Sequence, residues 1–291
     1  MLPNTRTPRT RGFTLIELVV AISISGILVA ASSALILAPI NAQRDQSRRA
    51  ALSSEADLAL RAVAADLDSA IPGTARVTGT ATGATLEMLI GAGSAAVRTN
   101  DTSVAAALNL ELNVPEAAFS TLNEFSAITR PFASSTTPAL VFDPAAGPDD
   151  AYDSAVAQTT AGTSVSIVAG PAPGQDLVTL APAYRFSPPG SVALVHLVAG
   201  PVAYVCDTNA RRLTRYSGYA ATRDRTQRDS SAELLAAGAS AVVAAEDVTA
   251  CRLSSGAPTA SRGAVLAMSL TITRDGESAV LASQFMQRSL L

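Results

Sequence analysis

The segment Arg11-Gly12-Phe13-Thr14-Leu15-Ile16-Glu17-Leu18-Val19-Val20 decides the architecture of this 291-residue chain. A short basic leader ends at Gly12, and an apolar stretch begins at Phe13 and runs to Ile40, with Glu17 as its only charged residue. As a helix this stretch would extend roughly 42 Å at about 1.5 Å per residue. The hydrocarbon core of a bilayer is only ~30 Å thick. The segment therefore predicts a membrane-spanning helix with one carboxylate near its start.

The position of Glu17 needs a physical explanation. A carboxylate in the bilayer costs roughly 2.5–3.5 kcal/mol at the centre on insertion scales, and less near an interface. Such a charge is tolerated where it meets a cation, so we expect Glu17 to have a cationic partner. An ordinary secretory signal has a shorter apolar core of about 7–15 residues. A plain single-span anchor would leave both Glu17 and the Gly12–Phe13 junction unexplained.

The residues from Gly12 to Leu18 resemble the type IV prepilin signal, which type IV pilins, minor pilins and the pseudopilins of type II secretion share. The resemblance implies that a prepilin peptidase cuts between Gly12 and Phe13 and methylates the new amine of Phe13. It also implies that Glu17 pairs with the N-terminal amine of a neighbouring subunit in a fibre. The positive-inside rule places the leader in the cytoplasm and the rest of the chain outside the inner membrane, because the leader carries Arg6, Arg9 and Arg11.

The long helix is expected to change character near Pro39, which lacks a backbone donor and should bend or break it. The resemblance to pilins makes Gly26 and Pro39 candidate points of partial unwinding, although both are also simply tolerated in membrane helices. Beyond Pro39, apolar residues recur every three or four positions, as on one face of an amphipathic helix. This face comprises Leu52, Ala56, Leu60, Val63, Leu67 and Ile71, and Pro72-Gly73 should end the helix.

The predicted fold class is α+β, with the lollipop shape of type IV pilins. A long N-terminal helix, membrane-spanning in its first half, packs on an antiparallel β-sheet domain with long loops. The expected parts are a leader at 1–12, a transmembrane or filament-core helix at 13–40, an amphipathic helix at 41–72 and a periplasmic β-rich domain at 73–291. Expected strands are Ala84–Ile90, Ala139–Phe142, Ser164–Val168, Leu177–Leu180, Val192–Val198 and Val202–Cys206.

The C-terminus carries the clearest strand pattern. Apolar and polar residues alternate from Leu266 to Thr273, an Asp275-Gly276 turn follows, and Ser278–Phe285 returns as a second strand. By contrast, 93–138 and 143–163 are rich in small residues, proline and glycine. They are expected to be surface excursions with weak strand content at most.

The two cysteines, Cys206 and Cys251, lie in the part expected to face the periplasm. An even count in an exported domain predicts a disulfide, worth on the order of 4 kcal/mol for a loop of this length. Two separate buried thiols are the alternative. The single histidine, His196, lies within an expected strand and is assigned a structural role. One histidine without a close cysteine pair argues against a zinc-type metal site.

A narrower resemblance covers the regions around Cys206. The stretches 184–188, 200–207 and 213–219 are similar to those of the MshO-type minor pilins of the mannose-sensitive haemagglutinin pilus system. In that family a second cysteine and then a C-terminal hairpin follow, and Cys251 and Leu266–Phe285 match this order. The resemblance implies a minor pilin that helps to assemble or initiate a fibre. The related J-type minor pseudopilins of type II secretion are the alternative subtype.

Other functional classes find little support in the sequence. No nucleophile elbow, P-loop, dinucleotide-binding or zinc-protease motif occurs, so we expect no enzyme and no cofactor. With a formal net charge of −3 and no dense basic patch, we expect no nucleic-acid partner. Structural Ca²⁺ remains a weaker hypothesis, for an acidic loop with Asp143, Asp149, Asp150 and Asp153.

Two roles are therefore left open: an assembly subunit, and an adhesin-like tip module. The aromatic content of 4% argues mildly against a carbohydrate site. The expected partners are the prepilin peptidase, other pilins through the N-terminal helix, and the inner membrane. The expected location is the inner membrane, followed by a pilus or pseudopilus.

Overall fold

The computed structural model describes residues 12–80, 83–101, 105, 109–134, 139–142, 149–153, 163–187, 193–256 and 265–286. The chain divides into a first unit, Met1–Ala51, and a second unit, Leu52–Leu291. The helices and strands, in chain order, are α1 (Leu15–Ser69), β1 (Arg76–Thr80), β2 (Gly83–Ala96), β3 (Pro115–Ser120), β4 (Phe132–Ser134), β5 (Leu140–Phe142), β6 (Ser164–Ala169), β7 (Asp176–Arg185), β8 (Leu194–Asp207), β9 (Arg212–Ser217), α2 (Ser231–Ala236), β10 (Ser240–Glu246), β11 (Val248–Gly256), β12 (Val265–Arg274) and β13 (Glu277–Met286).

The first unit contains the N-terminal part of α1, whose apolar side chains are exposed. Within it, Leu15–Ser33 is long and apolar enough to cross a membrane, with a mean hydropathy of 2.3, and none of its most apolar stretch is buried. The helix does not break at Pro39, because it continues through that residue. The bend expected there as the alternative stays a prediction. Proline removes one backbone hydrogen bond, and the helical residues on both sides are sufficient to carry the helix past it.

The second unit begins with the remaining turns of α1, which bury the predicted face. Leu52, Ala56, Leu60, Val63 and Leu67 are each at most 6% exposed. The helix ends at Ser69, and Pro72 and Gly73 form the turn that follows. Gly73 has a φ of 78°, a conformation that glycine adopts without steric cost.

A six-stranded antiparallel sheet forms the centre of the second unit. Its strands lie in the order β1-β2-β8-β9-β10, and the short strand β5 also pairs with β8. The main core lies between the buried face of α1, this sheet and the C-terminal strands, with Leu86, Met88, Tyr204 and Leu213 among its members. The predicted α+β class, an N-terminal apolar helix followed by a larger antiparallel β-sheet domain, is confirmed.

Strand β8 merges two predicted strands into one. Val192–Val198 and Val202–Cys206 were expected to be separate, because Gly200-Pro201 lies between them. The structure has a single strand that pairs with β2 from end to end. Along its other edge β8 pairs first with β5, up to Leu197, and then with β9, from Val202 onward. Pro201 lies between these two partners, where this edge of β8 pairs with neither of them.

The C-terminal strands form a separate three-stranded sheet in the order β11-β12-β13. The predicted hairpin is confirmed, with Arg274 opposite Glu277 at its tip. Asp275 and Gly276 have φ angles of 53° and 80°. Positive φ at both central residues is the geometry in which a two-residue turn matches the twist of its strands.

The expectation that 93–138 is a surface excursion was wrong, because β3 and β4 lie in it and Phe119 and Phe125 are buried. Most of 143–163 lies outside the described residues, so the same expectation there stays a prediction. The strands β2 and β8 pair as far as Ala96 and Leu194, and residues 97–193 are inserted at that end. We call residues 97–193 the inserted lobe. Its described part contains a four-stranded sheet, β3-β7-β6-β4, and the strand β5. It also contributes most of a second core, which includes Phe119, Phe142 and Phe186.

The composition of the inserted lobe explains the wrong prediction. Whereas β6 and β7 match the expected strands Ser164–Val168 and Leu177–Leu180, the two strands that were not predicted, β3 and β4, are short and contain few large apolar residues. Such strands have little periodic hydrophobic signal. A few aromatic side chains supply the core instead: the rings of Phe142 and Phe186 pack edge-to-face with centroids 4.4 Å apart.

Candidate functional site

Thr14 and Glu17 cap the N-terminus of α1 reciprocally. The backbone N–H of Glu17 donates to Oγ1 of Thr14 at 3.3 Å. In return, Oε2 of Glu17 accepts the backbone N–H of Thr14 at 3.1 Å and the Thr14 hydroxyl at 2.9 Å. This is a capping box, in which a threonine and a glutamate three residues later satisfy donors that the first helical turn leaves unpaired.

The residues predicted for peptidase processing lie directly before this cap. Gly12 and Phe13 precede the first helical residue, and Phe13 is 86% exposed. A Cβ atom added at Gly12 would meet nothing within 4 Å. The junction is therefore open to another protein, and the fold of the described residues does not itself require glycine there.

The second oxygen of Glu17 is available for another partner. The side-chain hydrogen bonds that Glu17 makes within the described residues go to Thr14, and its carboxylate uses Oε2 for them. Oε1 can therefore accept from a cation outside the chain. Because the helix N-terminus also favours a negative charge, the first turn holds the carboxylate in a defined place before any partner arrives.

The exposed apolar surface continues from this cap along the first unit. Leu15, Ile22, Ile27 and Val29 are each more than 60% exposed. The hydroxyls of Ser23 and Ser33 are satisfied inside the helix, since they donate to the carbonyls of Val19 and Val29. A helix with this surface must be covered by lipid or by other apolar helices.

Cys206 and Cys251 are brought together from two different sheets. Cys206 lies on β8 of the central sheet and Cys251 on β11 of the C-terminal sheet, and both belong to the main core. In the structure they are separate thiols. The hydrogen bond with Cys251 and burial raise the pKa of the Cys206 thiol. The disulfide stays a prediction, and the contact between the two side chains supports it.

His196 and the described residues of the acidic loop do not form a common site. His196 is buried on β8, opposite Ser94 and Val141, which fits the structural role assigned from sequence. Asp143 lies outside the described residues. Among the described residues, no group of three or more metal-ligating side chains occurs. The calcium hypothesis thus stays a prediction.

Two carboxylates of that loop bind arginines in the segment that follows β9. Asp149 forms two hydrogen bonds with Arg225, both at 2.7 Å, and Asp153 pairs with Arg223 at 2.8 Å. Burial opposes the ionisation of Asp149, but Arg225 and Arg76 outweigh it and lower the pKa of Asp149. The inserted lobe is thereby attached to the loop that follows β9.

A buried ion pair lies beneath this attachment. Arg76 on β1 donates to Oε2 of Glu87 on β2 through Nη2 at 2.6 Å, and the side chains are 1% and 4% exposed. The guanidinium also lies 3.6 Å from the ring centroid of Tyr152, a residue of the inserted lobe. Burial raises the pKa of Glu87, although the Arg76 charge and the Tyr219 hydroxyl act against that rise. We name Arg76, Glu87, Asp149, Tyr152 and Arg225 the clasp.

The sequence analysis missed the cap and the clasp for different reasons. The pattern Thr14-x-x-Glu17 directly before an apolar run is the sequence signature of a capping box, so this signal was present. The clasp joins residues separated by up to 149 positions, from Arg76 to Arg225. No local sequence pattern predicts a contact between residues so far apart in the chain.

Comparisons with known proteins concern the N-terminal site that contains the cap. A family model described as the prokaryotic N-terminal methylation motif matches residues 7–33, which include Gly12, Phe13 and Glu17. No curated protein and no solved structure matches the chain. Together with the exposed apolar helix, the matched motif indicates a type IV pilin-like or pseudopilin-like protein.

Proposed function

We propose that this protein is a minor pilin or pseudopilin, a structural subunit that helps to assemble or initiate a type IV pilus-like fibre. A prepilin peptidase removes residues 1–12 and methylates the amine of Phe13. The mature subunit remains in the inner membrane through its apolar helix, with the second unit on the periplasmic side. It then enters a pilus or pseudopilus. The methylation motif, placed where an exposed apolar helix begins, carries this proposal.

The assembly step uses the cap geometry. Oε2 of Glu17 is engaged by Thr14, and Oε1 faces no partner within the described residues. The N-methylated amine of Phe13 on one subunit meets Glu17 of a neighbour when the two apolar helices pack side by side. In a nonpolar environment this pairing neutralises both charges, whereas an unpaired carboxylate would oppose packing.

The finer assignment is to the MshO-type minor pilins, with a J-type pseudopilin of type II secretion as the alternative. The order of Cys206, Cys251 and the C-terminal hairpin supports it. We also propose that the two cysteines form a disulfide in the oxidising periplasm, because their thiols already contact each other across two sheets.

Processing is tested by replacing the glycine at the junction. Gly12→Val should abolish cleavage and leave a slower-migrating precursor in membranes. Gly26→Val is the matched control, since a Cβ there also meets nothing within 4 Å, and it should be processed normally. Normal cleavage of the Gly12 variant would refute the proposed junction.

An adhesin-like tip module is the second candidate, and the inserted lobe is the observation that favours it. The main core contains none of the residues of this lobe that the structure describes. The test deletes the lobe by replacing 97–193 with a two-residue turn, which joins β2 and β8 at the end where they are already paired. Assembly of pili without attachment would support the adhesin role. The assembly role alone would be supported by two results together: a strain that lacks the whole gene makes no pili, and deletion of the lobe leaves attachment unchanged.

A further inference from the structure

A group of basic side chains follows the apolar part of α1. Arg44, Arg48 and Arg49 are all exposed. Asp45 is the only acidic residue between 44 and 49, so this short stretch has a formal net charge of +2. Arg44 and Arg48 are four positions apart and therefore share one face of the helix. Neither makes an ion pair with any residue that the structure describes.

The distance of these residues from Phe13 places them at a particular depth. Thirty-one residues of helix separate Phe13 from Arg44, which corresponds to about 47 Å. A bilayer with its headgroups is about 40–45 Å thick. If Phe13 lies at one surface, Arg44 reaches the headgroups of the other. Arg48 lies one turn further, and long helical side chains point back towards the N-terminus and extend to the interface.

Processing changes the charge balance across this helix. The leader contributes Arg6, Arg9 and Arg11, which are removed with residues 1–12. After that cut, the basic side chains flanking the apolar segment are on the far side only. Anionic headgroups attract such a cluster, and arginine binds phosphate through several parallel hydrogen bonds.

We infer that Arg44 and Arg48 bind the phosphate groups of anionic phospholipids in the periplasmic leaflet. This contact fixes the depth of the mature subunit until it enters a fibre. The inference rests on the proposed membrane location of the subunit. It is supported by charge complementarity and by continuity with the apolar segment that precedes the two arginines. It differs from the proposed function in assigning a lipid-binding role to residues outside the methylation motif.

Lipid selectivity measures this contact directly. The full mature chain is reconstituted into phosphatidylcholine vesicles with a trace of spin-labelled phosphatidylglycerol or spin-labelled phosphatidylcholine. The motionally restricted fraction gives the preference for the anionic lipid. We expect a preference of about fivefold at low salt, falling towards parity at high salt. Arg44→Gln/Arg48→Gln should reduce it to less than about twofold.

A charge-matched control separates a local contact from net charge. Arg212→Gln/Arg252→Gln removes two exposed arginines of the second unit and should keep the full preference. An unchanged preference in the Arg44/Arg48 variant, or an equal loss in the control, would overturn the inference. If that variant assembles poorly with its lipid preference intact, the arginines contact neighbouring subunits instead. None of these outcomes depends on Gly12 processing, so failure here leaves the proposed function standing.

Discussion

Thr14 and Glu17 exchange hydrogen bonds at the first turn of α1, with Oε2 of Glu17 accepting both the backbone N–H and the hydroxyl of Thr14. A residue that the sequence presents as an isolated carboxylate in an apolar segment therefore caps its own helix and leaves Oε1 without a partner among the described residues. The proposed pairing of that oxygen with a cation on another subunit can be separated from capping by substitution.

Charge and capping at Glu17 should have different consequences for assembly. Glu17→Gln retains an oxygen that can accept from Thr14 but loses the charge, so incorporation into sheared fibres should fall at least tenfold. Thr14→Ala removes the cap and costs the helix about 1 kcal/mol, so incorporation should fall by less. Immunoblots of sheared fibres against membranes measure both. Normal incorporation of Glu17→Gln would refute charge pairing.

The cysteine pair should be oxidised in protein taken from the cell envelope without reductant. We expect no thiol of Cys206 or Cys251 to react with an alkylating reagent after denaturation. Reduction should lower the free energy of unfolding by up to about 4 kcal/mol. The variant Cys206→Ser/Cys251→Ser is the control, because reductant should leave its stability unchanged. Full alkylation of both thiols in unreduced wild-type protein would exclude the disulfide.

Removing one partner of the buried pair in the clasp should destabilise the second unit strongly. Glu87→Gln leaves the buried Arg76 guanidinium with only the more exposed Asp149, 3.2 Å away, as a counter-charge and should cost about 3 kcal/mol. Glu246→Gln is the matched control, because the Arg212–Glu246 pair is 53% and 58% exposed at 3.5 Å. It should cost less than about 1 kcal/mol. Chemical denaturation measures both variants, and equal costs would show that the buried pair has no special role.

The clasp should also weaken in acid through Asp149. Its pKa is lowered in the folded protein, so its contribution is present above the unfolded pKa and is lost as the pH falls below about 4. The effect should stay below about 1 kcal/mol, because the Asp149 side chain is 42% exposed. The contribution of Glu87 to stability changes with pH in the opposite direction, since its pKa is raised. Both the wild type and an Asp149→Asn variant contain Glu87, so a comparison of the two isolates Asp149.

The test is the difference in unfolding midpoint between pH 7 and pH 3. This difference should be smaller in Asp149→Asn than in the wild type. An identical difference in the two proteins would mean that Asp149 contributes nothing to acid sensitivity.

Local patterns in the sequence were sufficient for the helix and the hairpin. The spacing from Leu52 to Leu67 identified the buried face, and Asp275-Gly276 identified the turn, because both depend on neighbours along the chain. Within the inserted lobe, β5, β6 and β7 were predicted. The strands β3 and β4 were missed, since the core there comes from dispersed aromatic residues such as Phe119 and Phe186. The sequence left a bend or a break at Pro39 open, and α1 continues through that residue, because proline propensity alone does not decide a long helix.

The residues of the candidate site also differ in how far the sequence could predict them. Gly12, Phe13 and Glu17 lie within six consecutive residues, so a short motif was enough to predict them as a site. The clasp depends on strand pairing and on the return of residues 149–153 to the central domain. Such a contact is available only from the folded chain.

The most direct test of the central claim is the N-terminus of the protein isolated from membranes. The account predicts a mature chain that begins at Phe13 and carries one methyl group on its amine, observed by mass spectrometry of the N-terminal peptide. A strain without the prepilin peptidase should yield the full leader. A mature protein that keeps residues 1–12, or that is cut elsewhere, would contradict the account.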